Sequence, residues 1–171
     1  MKRWAILWLV SCVAVGEFHG QTDENIADRS AVFSVLDYYR LACLDPGSKA
    51  VVLEFDSVAV AFIAEHPESA LGLGMKSTAQ LMLAESMWNP LDKLSQFQAW
   101  KPQLEDAIAQ SPLDPDLRYF RLSVQFSVPA LLEYNSDMDG DAAAVKEALS
   151  KEFWSEHPEY ESFVEAFLNQ L

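Results

Sequence analysis

Two arginines spaced one helical turn apart are the side chains in this sequence best suited to binding chemistry. Arg118 and Arg121 stand three residues apart and Gln125 follows four residues later, so a helix would place all three on one face. A guanidinium group binds carboxylates and phosphates through a planar fork of N–H donors. The spacing therefore indicates either a site for an anionic ligand or a partner's carboxylate, or an internal ion-pair network with Glu105, Asp106 or Asp116.

A second segment has the spacing of metal ligands. Asn135 to Asp141 offers side-chain oxygens at alternate positions and a glycine, Gly140, as the first half of a calcium loop does. The loop should end on a bidentate acid, but Lys146 stands at that position and Glu147 is one residue late. We therefore expect a polar loop in which Asp139 or Asp141 caps the next helix, and we predict no metal and no other cofactor.

The sequence contains no recognisable catalytic motif. It has no G-x-S-x-G, no phosphate-binding loop and no pair of histidines at metal-ligand spacing. Cys43 lies in the apolar run Leu41-Ala42-Cys43-Leu44, where a cysteine usually behaves as a small hydrophobic residue. We therefore predict that the protein is not an enzyme and that it has no catalytic residues.

The elements that must position these residues are predicted to be helices, because apolar residues recur every three to four positions. Residues 51–63 are rich in β-branched side chains, so a strand is the alternative there. Asp114-Pro115-Asp116 is expected to cap the fifth helix, whereas Pro102 is expected to kink the fourth or split it in two. The predicted helices cover residues 25–43, 51–63, 66–88, 91–110, 114–126, 142–153 and 158–168.

These helices are predicted to form antiparallel hairpins in a single all-α domain over residues 21–171. Met87 or Trp88 is expected on the inner face of the third helix, and Leu94 on that of the fourth. The third helix carries small residues that would let a neighbouring helix come close, namely Gly72, Gly74, Ser77 and Ala79. The net charge of −14 argues against binding to nucleic acid or to anionic lipid.

The first twenty residues have the pattern of a secretory signal peptide. Lys2 and Arg3 precede an apolar run from Trp4 to Val15 that is too short to span a bilayer, and small residues follow it. Cleavage is expected after Gly16 or Gly20, or before a lipidated Cys12 in Leu9-Val10-Ser11-Cys12. The pattern predicts a periplasmic or secreted protein, with a lipid anchor at Cys12 as the alternative.

The stretch around residue 110 resembles the second half of a tetratricopeptide unit. The likeness rests on Leu104, Ala107, Ile108 and Pro112, together with the pair Leu71-Gly72. It implies a tetratricopeptide-like stack of helical hairpins, a fold that usually binds other proteins.

Residues 67–141 also resemble a group of small exported helical proteins from Bacteroidetes-type bacteria that have no assigned activity. The points of likeness are Asn89-Pro90 with Lys93, the run from Arg118 to Gln125, and Pro129 followed by Leu132 and Tyr134. The resemblance supplies no catalytic residues. It makes five residues the candidate ligand- or partner-binding positions: Lys93, Arg118, Arg121, Gln125 and Tyr134.

Two functions follow as expectations. The first is a non-enzymatic exported module that binds a protein or peptide partner in a groove beside the third to fifth helices. The second is a protein that binds a small anionic ligand through Arg118 and Arg121. The two are distinguished by whether the arginines are paired with the chain's own carboxylates or line an open surface beside Tyr134.

Overall fold

The computed structural model describes residues 21–171, and over that range the chain is helical, as predicted, with no strand. Two short 3-10 turns cover Ala84–Ser86 and Ala130–Leu132. The predicted signal peptide and Cys12 lie outside the described residues. The helices are α1 (Gln21–Leu44), α2 (Lys49–Glu65), α3 (Ala70–Leu83), α4 (Pro90–Gln110), α5 (Pro115–Ser127), α6 (Met138–Ser150) and α7 (Pro158–Leu168).

The start of α5 lies next to the predicted one, because its capping side chain was recognisable in the sequence. Asp114 caps α5 by accepting hydrogen bonds from the backbone N–H groups of Asp116 and Leu117, at 2.9 and 3.2 Å. Helix α3 begins later than predicted, at Ala70. The reason is Ser69, whose hydroxyl accepts the N–H of Gly72 at 3.0 Å and so caps the helix there.

Of the two effects expected of Pro102, a kink or a split, the split does not occur, because α4 runs unbroken from Pro90 to Gln110. Pro102 and Gln98, four residues earlier, are both exposed, so the carbonyl that loses its N–H partner faces solvent. Phe97 and Leu104 are buried on either side of the proline and hold both halves of the helix against the core.

Helix α3 lies at the centre of the molecule and packs against α2, α4 and α5. Its glycines permit this, as the small-residue pattern predicted. A Cβ atom at Gly74 would overlap the Leu117 side chain of α5, and one at Gly72 would lie 3.0 Å from Ile63 of α2. The described helices share one hydrophobic core, in which Trp154, Tyr39, Tyr119 and Tyr160 are the largest fully buried side chains.

The last helix returns to the first, since α7 contacts both α1 and α6. Arg40 of α1 pairs with Glu159 of α7 at 3.0 Å. His157 Nε2, just before α7, lies 3.2 Å from Asp37 Oδ1. In a solenoid each repeat contacts only its neighbours, so the ends stay apart. Tetratricopeptide-like stacking is therefore not confirmed.

The junction between α3 and α4 differs from the prediction. Helix α3 ends at Leu83 and is followed by the 3-10 turn Ala84–Ser86. Trp88, one of the two residues expected on the inner face of the third helix, lies beyond this turn and is 98% exposed. Leu94, expected inside, is 37% exposed. Among the described helices none is both long and apolar enough to cross a bilayer.

Candidate functional site

The arginines on α5 occupy a helix that is buried on most of its circumference. Leu117, Phe120 and Val124 enter the core, and Arg121 is buried beside them. A buried guanidinium must be paired, because an isolated charge is costly to remove from water. The surroundings of Arg121 therefore decide whether it is available to a ligand.

Asp141, in the first turn of α6, is the main partner of Arg121. Its two oxygens accept hydrogen bonds from Arg121 Nε at 2.7 Å and Nη2 at 2.9 Å, and Asp141 is fully buried. Arg118 Nε pairs with the same carboxylate. Asp137 lies 3.8 Å from Arg121 Nη2. One buried aspartate thus binds both predicted arginines and joins α5 to α6.

Glu105 of α4 holds the remaining side of Arg121. Its Oε2 accepts a hydrogen bond from Arg121 Nη1 at 2.9 Å, and its Oε1 accepts one from the Tyr134 hydroxyl. The Tyr134 ring contacts Phe97 with ring centroids 5.7 Å apart, and Lys101 Nζ lies 4.6 Å from the Tyr134 ring centroid. We call this group the arginine cluster; it consists of Arg118, Arg121, Glu105, Asp137, Asp141 and Tyr134.

The charges of the arginine cluster leave no net positive site. It contains two arginines and three carboxylates. The hydrogen bonds to Asp141 and then to Glu105 raise the pKa of Arg121 despite its burial. Burial, and then the bond to Glu105, raises the pKa of Tyr134. The geometry therefore favours the internal ion-pair network over a site for an anionic ligand.

The structure brings together four of the five predicted site residues. Arg118, Arg121 and Tyr134 belong to the arginine cluster, and the buried Gln125 lies beside it. The pKa of Asp137 is lowered first by the Ser136 hydroxyl, and further by Arg121 and Gln125. Lys93 is separate, because its ammonium donates to the Glu85 carbonyl at 3.2 Å at the other end of α4.

The segment from Asn135 to Asp141 has a role other than the calcium loop or the helix cap considered from the sequence. Helix α6 begins at Met138, so Asp139 and Asp141 lie in its first turn, and the prediction that one of them caps it was wrong. Asp137 occupies the cap position without a side-chain bond. The segment's most informative residue is Asp141, the partner of both arginines. Within residues 21–171 no three acidic, histidine or cysteine side chains are grouped to hold a metal.

A second buried aspartate, Asp116, was missed as a distinctive residue. It lies in the first turn of α5, and its Oδ1 accepts a hydrogen bond from Trp154 Nε1 at 2.8 Å. Burial raises the pKa of Asp116 to about 7 and Asp114 adds to the shift, whereas Trp154 and Arg29 oppose it. The sequence showed Asp116 only as a member of the capping triplet Asp114-Pro115-Asp116. No local signal pairs it with Trp154, which stands 38 residues away.

Cys43 is unsuited to nucleophilic chemistry. It lies against the core, and burial raises the pKa of its thiol to about 12. A thiol rather than a thiolate is therefore present at neutral pH, and only the thiolate is a strong nucleophile.

A half-open cleft of about 280 Å³ lies among the ends of four helices. Val32 and Phe62 form part of its apolar wall, and Ser69 and Asp114, the caps of α3 and α5, line it as well. Its volume is at the lower limit of ordinary small-molecule sites. A separate exposed surface lies at the junction between α3 and α4.

That surface carries three exposed apolar side chains within seven consecutive residues. Trp88 is 98% exposed, Leu91 is 70% exposed and Leu94 is 37% exposed. Leu91 and Leu94 lie one turn apart on α4, so they share a face. We call Trp88, Leu91 and Leu94 the Trp88 surface. Lys93 stands between the two leucines in the sequence.

Comparisons with known families, with curated proteins and with solved structures found no match to this chain. The resemblance to exported helical proteins of Bacteroidetes-type bacteria stays a prediction.

Proposed function

We propose that this protein is a non-enzymatic interaction module that binds a protein or peptide partner through the Trp88 surface. The observation that carries the proposal is the exposure of Trp88, whose side chain has almost no contact with the rest of the chain. Leaving an indole in water forgoes the free energy of burying it, roughly 2–3 kcal/mol for a large apolar side chain. A partner that covers Trp88 would recover that free energy.

The grouping of apolar side chains supports a binding role. Single exposed apolar residues are normal on a protein surface, and Leu113 and Leu131 are such cases. Tryptophan, by contrast, is among the residues most enriched at the centre of protein interfaces. Trp88 is followed closely in the sequence by the exposed Leu91 and Leu94, so one partner can cover all three side chains.

The negative charge of the chain indicates the charge that a partner should carry. The net charge is −14, and the residues near the Trp88 surface in the sequence include the exposed acids Glu85 and Asp92 and the exposed Lys93. Long-range electrostatic attraction therefore favours a positively charged partner. The occupant we propose is a peptide segment that presents apolar side chains flanked by lysine or arginine.

The polar groups of the protein support a binding role over catalysis. The arginines are engaged by the chain's own carboxylates, and the Cys43 thiol is held protonated by burial. These groups stabilise the fold and leave the outer face of α4 to bind.

A random peptide library displayed on phage, selected on the immobilised full chain, tests the proposal. We expect enriched peptides to combine apolar and basic residues, and Trp88→Ala to weaken their binding by about 30-fold or more, as for an interface anchor. Leu131→Ala is the matched control, because Leu131 is 90% exposed but lies elsewhere. Peptides that bind the Trp88→Ala variant as tightly as the wild type, or a library that enriches no peptide, would overturn the proposal.

We further propose that the module acts in the periplasm or outside the cell, on the strength of the signal-peptide pattern in residues 1–20. Mass spectrometry of the chain recovered from its native host tests this. An N-terminus at residue 17 or 21, or a lipid on Cys12, would support export, and an intact Met1 or Lys2 would contradict it.

A further inference from the structure

The buried carboxyl group of Asp116 has an unusual set of neighbours. It is buried at the start of α5, and its hydrogen-bond donor from a distant part of the chain is the indole N–H of Trp154. Unlike Asp141, it makes no hydrogen bond to a cationic side chain among the described residues. A buried carboxylate without a bonded cation is costly, so such a group favours its neutral form.

The ionisable groups around Asp116 come from three helices. Asp114, from the cap of α5, disfavours a second negative charge. The Tyr160 hydroxyl of α7 lies close enough for Asp116 to raise the pKa of the tyrosine further, after the larger effect of burial. Arg29 of α1 lowers the pKa of Asp116, but its guanidinium donates to the Phe153 carbonyl at 2.7 Å.

The tryptophan that bonds to Asp116 belongs to the connection between α6 and α7, residues 151–157. Three polar contacts hold this connection: Arg29 to the Phe153 carbonyl, Trp154 to Asp116, and His157 to Asp37. Glu152 within it has left-handed backbone, with φ of 58°. That conformation costs a non-glycine residue roughly 1–2 kcal/mol, so the contacts hold the connection in a strained form.

We propose that Asp116 and Trp154 form a pH-sensitive latch, which holds the α6–α7 connection against α5 most tightly in acidic solution and loosens it progressively as the pH rises to neutral. At acidic pH the carboxyl group of Asp116 is neutral. Its carbonyl oxygen then accepts the indole N–H without the free-energy cost of burying a charge. At higher pH the group must either ionise in the core or open to water. Opening exposes Trp154 and frees α7 from its contacts with the start of α5.

The direction follows from the pKa of Asp116, which is about 7 in the folded chain and about 4 for an ordinary aspartate in water. A group whose folded pKa is raised stabilises the closed form fully below about pH 4. That stabilisation is lost as the pH rises through about 7.

Hydrogen exchange of the full chain, followed by mass spectrometry between pH 5 and pH 9 and corrected for the intrinsic exchange rate, tests the latch. For amides in residues 151–160 we expect the opening constant to rise by up to about tenfold per pH unit up to pH 7, and to level off above it. Asp116→Asn, which cannot ionise, should remove this slope. Asp106→Asn, an exposed acid on α4, is the matched control and should keep it.

A second variant keeps the test decisive if Asp116→Asn folds poorly. Trp154→Phe removes the indole N–H but leaves the buried acid, so residues 151–160 should lose protection and still show the pH slope. Equal slopes in the wild type and in Asp116→Asn would overturn the latch. So would a slope of the same size across all helices, since that would reflect the general acidity of the chain.

Discussion

Asp141 and Asp116 are both buried aspartates in the first turns of two helices that pack together, yet their neighbours differ. Asp141 receives bonds from Arg121 and pairs with Arg118, so its charge is balanced within the core. Asp116 receives a bond from the neutral Trp154. The difference is one of pairing: cationic side chains balance the buried carboxylate of Asp141, whereas among the described residues Asp116 has no bonded cation, and a buried acid without one favours its neutral form.

The largest effect is expected from removing the charge of Asp141. Asp141→Asn leaves Arg121 buried with only Glu105 bonded to it, which should lower the free energy of unfolding by about 3 kcal/mol at pH 7. Urea denaturation measures the change. Asp139→Asn is the control, because Asp139 is exposed in the same turn and should cost no more than about 0.5 kcal/mol. Equal costs for the two variants would show that Asp141 is not the anchor of the cluster.

The substitution Asp116→Asn, by contrast, is expected to gain stability relative to the wild type as the pH rises. Asparagine cannot ionise, so between pH 5 and pH 8 the difference in unfolding free energy should shift by about 2.5 kcal/mol in favour of Asp116→Asn. Denaturation of both proteins at the two pH values measures the shift. A constant difference would place the ionisation of Asp116 outside this range and break the contrast with Asp141.

A smaller effect is expected at the edge of the arginine cluster. Tyr134→Phe removes the hydroxyl that donates to Glu105 but keeps the ring contacts with Phe97 and Lys101. Because Glu105 still binds Arg121, the loss should be about 1 kcal/mol. The free energy of unfolding at pH 7 measures it. A loss as large as that of Asp141→Asn would mean that Tyr134, rather than Asp141, determines the stability of the cluster.

The local features of the fold were predictable from the sequence because their signals are local. The periodicity of apolar residues predicted the helices, and Asp114-Pro115 predicted the start of α5. The small residues of α3 predicted that a neighbouring helix comes close, and at Gly74 that neighbour is α5. The return of α7 to α1 was not predictable, since it depends on contacts between residues more than 100 positions apart.

The candidate site was predictable only in part, for the same reason. Helical spacing placed Arg118 and Arg121 together, and Glu105 was among the carboxylates named for them. Asp141 was assigned instead to a helix cap, because an acid near a helix start is usually a cap. The exposure of Trp88 was missed because α3 ends in a 3-10 turn, which moves Trp88 off the predicted inner face.

The charge state of Asp116 can be read directly by a carboxyl ¹³C NMR titration of the full chain, with Asp116→Asn used to assign the resonance. We expect the Asp116 carboxyl to titrate with a midpoint of about 7. A midpoint near 4, the ordinary value for an aspartate in water, would mean that Asp116 is charged in the folded protein at neutral pH. That result would contradict both the contrast with Asp141 and the latch.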